Sequence, residues 1–214
     1  MTDTVAVTSR RREATRQKLL DAAAEVFAEV GLDAASVEAI CDRAGFTRGA
    51  FYSNFETKDE LFLELAGNVA RERVAAVRRR VGDLERAGAF EDAPNDAFAI
   101  IQQVLDVSAD DRLGVLLMNE IRIHALRHSD LASAYLAQDE EMRESVAQII
   151  DDIGRANVLR FRLPPDAAAR LMLTVWESAA VRSVMAGLDY DEMCRRTNEE
   201  LARVAQLIIE PPQG

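Results

Sequence analysis

The sequence predicts an all-α protein of about nine helices, in which a small N-terminal three-helix domain precedes a larger helical domain. Ala, Leu, Glu, Arg and Val dominate the 214 residues, and apolar residues recur at three- and four-residue spacing, which is the pattern of amphipathic helices. The chain has only 10 Gly and 5 Pro, too few for a turn-rich β architecture. Its 49% hydrophobic and 29% charged residues are typical of a globular protein and exclude a disordered chain.

The first helix is predicted over Ser9–Val30. Its apolar stripe consists of Leu19, Leu20, Ala23, Phe27 and Val30. Gly31 follows directly, at the place where a helix is expected to end in a left-handed cap. Residues 1–9 are predicted to form a flexible tail that leads into the basic start of the helix, because unpacked chain ends fray.

A second and a third short helix are predicted between Ser36 and Phe55. Ser36 and Thr47 are residue types that cap helix N-termini, and each stands directly before a short helical pattern. Gly45 and Phe46 form the tight connection between them. Two short helices joined by such a turn are the signature of a helix-turn-helix. The sequence therefore predicts a helix-turn-helix DNA-binding domain over residues 10–56.

The remaining residues, 57–210, are predicted to form a larger helical domain. The sequence Thr57-Lys58-Asp59-Glu60 has the form of a capping box and opens its first helix. The predicted helices span residues 58–82, 94–107, 110–127, 130–160, 165–187 and 191–209, and residues 211–214 form a frayed tail.

The third helix carries the candidate DNA contacts. Helical spacing puts Phe51 and Phe55 on its inward face and Gly49 and Ser53 on its outward face. Arg48, in the first turn, has the reach to bind a guanine edge. The candidate contacts to bases and phosphates are Ser36, Thr47, Arg48, Gly49, Tyr52, Ser53, Asn54 and Lys58. The pattern alone also fits a short packed helix with a polar outer face.

The charge balance gives two opposing indications. The formal net charge of −11 argues against binding nucleic acid. However, the first predicted helix begins with a local basic cluster of Arg10, Arg11, Arg12, Arg16 and Lys18, opposed within that stretch only by Glu13. Such a cluster can attract phosphate, so Arg11, Arg12 and Arg16 are further candidate DNA contacts. An ordinary solvated helix start is the alternative.

Residues 14–66 resemble the N-terminal domain of the TetR family (tetracycline-repressor-like) of transcriptional regulators. The resemblance lies in the segments ATRQKLLDAAAEVFAEVG and SVEAICDRAGFTRGAFYSNFETKDELF. The features in register are Ala22, Ala23, Phe27, Gly31, Ile40, Ala44, Gly45, Tyr52, Phe55, Lys58 and Leu61. The resemblance implies a ligand-responsive repressor that acts as a homodimer on a palindromic double-stranded DNA operator, with the remaining helices binding a small-molecule effector and dimerising.

The resemblance also implies roles for individual residues. Arg48, Gly49, Tyr52, Ser53 and Asn54 occupy recognition-helix positions. Lys58 occupies a common phosphate-contacting position, and Ser36 and Thr47 begin the two helices. The chain departs from the family pattern at Asn54, where Tyr or His is frequent, and at Phe46 and Phe51, where aliphatic residues are frequent.

The larger domain supplies two further sets of candidates, for which ordinary core packing is the alternative. Polar or amphipathic groups amid apolar helices suggest a ligand pocket of Phe98, Met118, Asn119, Arg122, Tyr135, Met142, Met172, Trp176 and Glu177. Apolar stripes on the last two helices suggest a dimer interface of Leu171, Val175, Ala179, Ser183, Leu201, Val204, Ala205 and Ile208.

Glu120, His124 and His128 lie at four-residue spacing, which permits metal binding, but a solvated helix end with pH-sensitive histidines is the favoured interpretation. No catalytic spacing and no phosphate-binding glycine loop is visible, so we expect neither an enzyme nor a cofactor. The sequence has no long apolar run and no signal segment, which predicts a cytoplasmic protein. The competing function is a ligand-binding or interaction module of the same fold without operator binding.

Overall fold

The computed structural model describes residues 2–89, 103, 112–155 and 159–210. Over these residues the chain is helical, and the predicted all-α class is confirmed. The helices are α1 (Thr2–Ala34), α2 (Val37–Ala44), α3 (Arg48–Tyr52), α4 (Lys58–Arg86), α5 (Arg112–Arg127), α6 (Ser129–Arg155), α7 (Pro165–Met185) and α8 (Tyr190–Ile208). The predicted helix over 94–107 and Phe98 lie outside the described residues. No described helix is long and apolar enough to cross a membrane.

Helix α1 differs from its prediction at both ends. It begins at Thr2 rather than at Ser9, because neither glycine nor proline interrupts the residues in front of the basic cluster. At Gly31 the backbone leaves the helix with φ 79° and ψ 168°. This is an extended conformation with positive φ, which is essentially restricted to glycine, rather than the expected left-handed cap. The chain therefore makes an abrupt corner after Val30.

The described residues pack as two units. The first contains the described residues up to Asn68 together with Leu116–Tyr135, and the second contains Val69–Val115 and Leu136–Gly214 as far as they are described. This grouping differs from the predicted division at residue 57. The reason is that α5 bonds to the corner at Gly31, with Leu32 N donating to Glu120 Oε2 at 3.0 Å.

The first unit has an aromatic and aliphatic core. The Phe27 and Phe62 rings meet edge to face with centroids 6.2 Å apart, and the Phe51 and Phe55 rings lie 5.7 Å apart. The buried side chains of this unit come from α1 to α5 and include Leu19, Phe27, Ile40, Phe51, Phe55, Leu61, Phe62, Leu117 and Ile121. Burial of side chains this large contributes roughly 1.5–3 kcal/mol each, so this core fixes the short helices that could not form alone.

The second unit is centred on α7 and α8. Its buried cluster comprises Val74, Ile149, Ile150, Ile153, Leu159, Ala168, Ala169, Ala205, Ile208 and Ile209. Arg162 N donates to Ile208 O at 2.7 Å and Glu210 N donates to Arg160 O at 2.8 Å, which ties the end of α8 to the segment before α7. Within this unit, Arg143 pairs with both Glu140 and Asp166.

The residues predicted for a dimer interface divide into two groups. Ala179, Ser183, Leu201, Ala205 and Ile208 are buried within the single chain. Their side chains pack inside the core of the single chain. The prediction that they contact a partner subunit is therefore corrected. Val175 and Val204 are partly buried, and Leu171 is exposed. The apolar stripes of α7 and α8 pack largely inside the chain, because helices in one unit bury their apolar faces against each other first.

Candidate nucleic-acid interface

The turn between α2 and α3 ends one helix and begins the next within three residues. Gly45 adopts φ 71° and ψ 33°, the left-handed conformation. Gly45 N donates to Asp42 O at 3.3 Å and Phe46 N donates to Cys41 O at 2.9 Å, which is a Schellman cap. A side chain at position 45 would be strained by the positive φ.

The three predicted N-cap residues, Ser36, Thr47 and Thr57, act as predicted. Ser36 Oγ accepts a hydrogen bond from Ala39 N at 3.1 Å, and Thr47 Oγ1 accepts one from Ala50 N at 3.3 Å. At the start of α4, Thr57 Oγ1 accepts from Glu60 N at 3.0 Å. Each cap satisfies a helix amide that would otherwise have no intrahelical partner. The start and direction of α2 and α3 are therefore fixed by their own sequence.

Helix α3 presents one buried and one exposed side. Phe51 is fully buried, whereas Tyr52 is 51% exposed. The exposed side consists of Thr47, Arg48, Gly49, Tyr52 and Ser53. A Cβ added at Gly49 would meet only Thr47 Oγ1 at 3.7 Å, so nothing in the chain itself requires a glycine there. The predicted outward surface of α3 is thus present and accessible.

Arg48 is held at the start of α3 by two neighbours. Its Nη1 lies 2.6 Å from Glu38 Oε1 in the first turn of α2. Its guanidinium also lies over the Tyr52 ring, 5.9 Å from the centroid. A hydrogen bond with Tyr52 and then the Glu38 carboxylate raise the pKa of Arg48 above its usual value. Sequence reasoning missed Glu38, because the crossing of two short helices is not encoded in residue spacing.

The basic start of α1 reaches the end of α3. Arg12 Nη2 donates to Ser53 O at 3.2 Å, and Arg11 is exposed. The Ser53 hydroxyl donates to Gly49 O at 2.7 Å, so the last turn of α3 is bonded on both sides. This contact places Arg12 beside the exposed residues of α3, and its contact with DNA stays a prediction.

Two predicted DNA contacts, the partly buried Arg16 and the buried Asn54, are bonded within the domain itself. Arg16 Nε donates to Glu64 Oε1 at 2.8 Å, and the guanidinium lies 4.1 Å from the Phe55 ring centroid and donates to Asn54 O. Asn54 is 9% exposed, and its side-chain nitrogen donates to Ala50 O at 2.8 Å. These side chains join α1, α3 and α4, so the expectation that Arg16 and Asn54 meet DNA is corrected.

Helix α2 is also tied to α1. Arg43 Nη1 lies 3.0 Å from Glu25 and its Nη2 lies 2.7 Å from Glu29. The hydrogen bond from Arg43 holds the pKa of Glu29 below its usual value. This exposed network orients α2, and through the tight turn also α3, on the first helix.

The corner at Gly31 is held by three side chains. Lys58 Nζ donates to Leu32 O at 3.0 Å, which engages a side chain that the sequence assigned to phosphate. Glu120 accepts from Leu32 N, and His124 Nε2 lies 2.9 Å from Asp33 Oδ1. Among the described residues no three His, Cys, Asp or Glu side chains are arranged to hold a metal ion. Glu120 and His124 thus bind the protein's own corner.

The predicted ligand-pocket residues are found in two separate sets. Arg122 Nε donates to Tyr135 Oη at 3.1 Å in the first unit. Met142 and Met172 pack against the apolar cluster of the second unit. Met118, Asn119, Trp176 and Glu177 are each partly buried. The pocket itself stays a prediction.

Comparison with known proteins agrees with this geometry. The family model for bacterial regulatory proteins of the tetR family matches residues 19–65. This segment contains α2 and α3 together with parts of α1 and α4. A helix-turn-helix (HTH)-type transcriptional repressor of Mycobacterium tuberculosis is 44% identical over 69 residues, which are 32% of this chain and 36% of the relative. Over residues 19–65 the chain is therefore similar to the TetR family.

A longer match is to an HTH-type nicotine-responsive transcriptional repressor of Paenarthrobacter nicotinovorans. That protein is 30% identical over 133 residues, which cover 59% of this chain and 63% of the relative. The HTH-type regulator AcrR of Shigella flexneri is 30% identical over 98 residues, or 46% of this chain. The chain aligns with 36–41% of the length of the first two relatives it matches.

The TetR fold extends beyond the matched segment. A TetR-family regulator from Rhodococcus has a TM-score of 0.70 with 18% identity, and the match covers 92% of this chain and 98% of that one. A TetR-family regulator from Mesorhizobium loti has a TM-score of 0.67 with 19% identity and covers 94% and 99% of the two chains. At this identity the likeness establishes the fold of the larger helical part.

Proposed function

We propose that this protein is a sequence-specific, double-stranded-DNA-binding transcriptional repressor. The observation that carries the proposal is the exposed side of α3, where Arg48, Tyr52 and Ser53 are exposed on a helix-turn-helix that packs on a buried core. A helix in this arrangement enters the major groove, with its first residues at the base edges. The names of the relatives, which are HTH-type repressors and regulators, support the same function.

Each contact has a separate chemical role in this proposal. Arg48 donates to the O6 and N7 acceptors of a guanine, which discriminates one base pair. Gly49 lets the backbone of α3 approach the groove. Arg11 and Arg12, with the capped helix starts at Ser36 and Thr47, bind phosphates and set the register without reading sequence. The proposal assigns the chain no catalytic step, and we propose a cytoplasmic location, because a regulator of this kind must reach its operator.

We propose a homodimer that binds a palindromic operator. A two-fold axis would place two α3 helices about 34 Å apart, one turn of DNA. The exposed side of α7 supports this: Leu171, Thr174, Ser178, Arg182 and Met185 lie on it at three- and four-residue spacing. Leu171→Glu is expected to give monomers in sedimentation velocity, with Arg170→Glu on the same helix as the control. A dimer that survives Leu171→Glu would place the interface elsewhere.

We propose that a small-molecule effector, bound among the longer helices, lowers DNA affinity. The nicotine-responsive relative supports an effector of small-molecule size, and its chemical class here stays unassigned. An effector acts only if it binds the non-DNA-binding conformer more tightly than the DNA-binding one. A coupling of about 1–3 kcal/mol is enough for such control.

The experiment that tests DNA recognition is selection from random double-stranded DNA with the full chain. We expect an inverted repeat to be enriched, and we expect fluorescence anisotropy to show tighter binding to it than to its scrambled sequence by about 10³-fold or more. If no sequence is enriched, the sequence-specific function is wrong. The net charge of −11 favours that second outcome, in which the chain is a ligand-binding or interaction module of the same fold.

A further inference from the structure

The pair between Glu38 and Arg48 joins the two helices of the helix-turn-helix. Glu38 lies in the first turn of α2, and Arg48 is the first residue of α3. The Arg48 and Glu38 side chains are 58% and 55% exposed, and Arg48 Nη1 lies 2.6 Å from Glu38 Oε1. An acidic residue therefore stands on the surface that the proposed function turns toward DNA.

The geometry of the pair restricts the orientation of the Arg48 guanidinium. A guanidinium carries five N–H donors in a planar fork, and the bond to Glu38 is made by Nη1. The Tyr52 ring lies against the same group. Further donors on the planar fork can meet the two acceptors of a guanine edge while the bond to Glu38 is kept.

We propose that Glu38 is a positioning residue that determines DNA specificity by holding Arg48. This inference rests on the proposed function, since it concerns how the same surface discriminates among sequences. On non-operator DNA, Glu38 neutralises Arg48 and repels phosphates. On the operator, the oriented guanidinium finds a base edge and binds it. Specificity increases because non-specific binding, which depends on phosphate contacts, is weakened more than operator binding.

A purely structural role for the pair predicts a different outcome. Exposed ion pairs shift a folding equilibrium by less than about fivefold. If Glu38 served only to join α2 to α3, its replacement would change thermal stability slightly and would leave the ratio of operator to scrambled affinity unchanged. The affinity ratio is therefore the informative quantity.

The test compares Glu38→Gln with Asp42→Asn in the full chain. Gln keeps the size and the hydrogen-bonding oxygen of Glu38 but removes its charge. Asp42 lies one turn further along α2 and is exposed, so Asp42→Asn removes one charge from the same helix. Both variants are measured by fluorescence anisotropy on the selected operator and on its scrambled sequence, over a range of salt concentrations.

We expect Glu38→Gln to tighten binding to scrambled DNA by about fivefold, with little change on the operator, so that the ratio falls by about fivefold. The salt dependence of its affinity for scrambled DNA should steepen by the equivalent of about one phosphate contact, because the released Arg48 reaches the DNA backbone. Asp42→Asn should change both affinities equally. In an Arg48→Ala background, Glu38→Gln should leave the ratio unchanged.

The proposal is overturned if Glu38→Gln leaves the ratio within twofold of the starting protein, or if the ratio falls equally in the Arg48→Ala background. These failures differ from failure of the proposed function, in which the unmodified chain selects no sequence at all. Circular-dichroism melting of each variant verifies that its fold is retained before binding is compared.

Discussion

Arg16 and Arg48 illustrate two regions of one small domain that look alike in sequence and differ in structure. Both arginines stand in polar segments that the sequence assigns to DNA. Arg16 is bonded to Glu64 and lies against the Phe55 ring, with 22% of its side chain exposed. Arg48 is 58% exposed and is held only at the surface, by Glu38 and Tyr52.

The difference shows how the domain separates stability from recognition. At the end of α3, Arg16 and Asn54 stabilise the junction of α1, α3 and α4 from inside. At the start of α3, Arg48 remains accessible to a partner. The residues of a recognition surface can change, and with them the DNA bases that are recognised, only if the fold does not depend on those residues. We therefore expect changes at the first region to affect folding and changes at the second to affect DNA binding.

The largest effect is expected at Arg16, the partly buried arginine. Arg16→Met should lower the free energy of unfolding by about 2–3 kcal/mol, because it leaves the Glu64 carboxylate without its main partner in a half-buried site. Urea denaturation measures this loss. Adding Glu64→Gln should recover part of it, since the uncompensated charge is removed. An Arg16→Met variant as stable as the starting protein would remove the distinction between the two arginines.

Arg48→Ala, in contrast to Arg16→Met, should weaken DNA binding and leave folding intact. We expect a loss of about 2 kcal/mol in operator binding and a relaxed preference at one base position in each half-site, with unfolding unchanged within about 0.5 kcal/mol. Anisotropy on operators with single base changes measures the preference. An equal loss on every DNA sequence would show that Arg48 contacts phosphate rather than a base.

Gly49→Ala tests folding stability and DNA binding separately at one position of α3. A methyl group at this position fits the chain, with its nearest neighbour at 3.7 Å. Alanine should therefore raise the free energy of unfolding by about 0.5 kcal/mol through its higher helix propensity. Operator affinity should fall by about 1 kcal/mol if the backbone approaches the groove, because the added methyl group would crowd the DNA. Unchanged affinity together with raised stability would show that α3 stays away from the base edges at this position.

The smallest effect is expected at the surface network of α2. Glu29 has a pKa below its usual value because Arg43 donates a hydrogen bond to it. A carboxylate with a lowered pKa in the folded state stabilises the fold above its unfolded pKa, and this contribution disappears as pH falls through the folded pKa. Glu29→Gln should therefore show a weaker loss of stability on acidification below about pH 4.5. Urea midpoints measured between neutral and acid pH, with Asp42→Asn as the control, test this difference.

The local features of this fold could be predicted from sequence, whereas its long-range contacts could not. The caps at Ser36 and Thr47 and the turn at Gly45 depend on neighbouring residues, and spacing reveals them. The pairs of Arg16 with Glu64 and of Arg48 with Glu38 depend on how helices cross, which spacing does not encode. The sequence assigned Asn54 to the DNA-contacting surface, whereas its side chain turns back and donates to Ala50 O, a bond that residue types alone do not reveal.

The larger helical part was less predictable for a related reason. Apolar stripes on α7 and α8 show that these helices bury a face, but they do not show which neighbour covers it. In the structure most of those residues, including Ala179 and Leu201, are buried in the core of the chain itself. Glu120 and His124 had the spacing of metal ligands, yet they bind the corner after Gly31, where a positive φ exposes the Leu32 amide.

Guanine methylation interference on the selected operator tests the central claim most directly, because N7 methylation blocks a major-groove contact at a single base. We expect one guanine in each half-site whose methylation prevents binding of the starting protein. Binding of Arg48→Ala should be insensitive to methylation at that same guanine. An identical interference pattern for both proteins would contradict the assignment of Arg48, and with it the role given to the exposed side of α3.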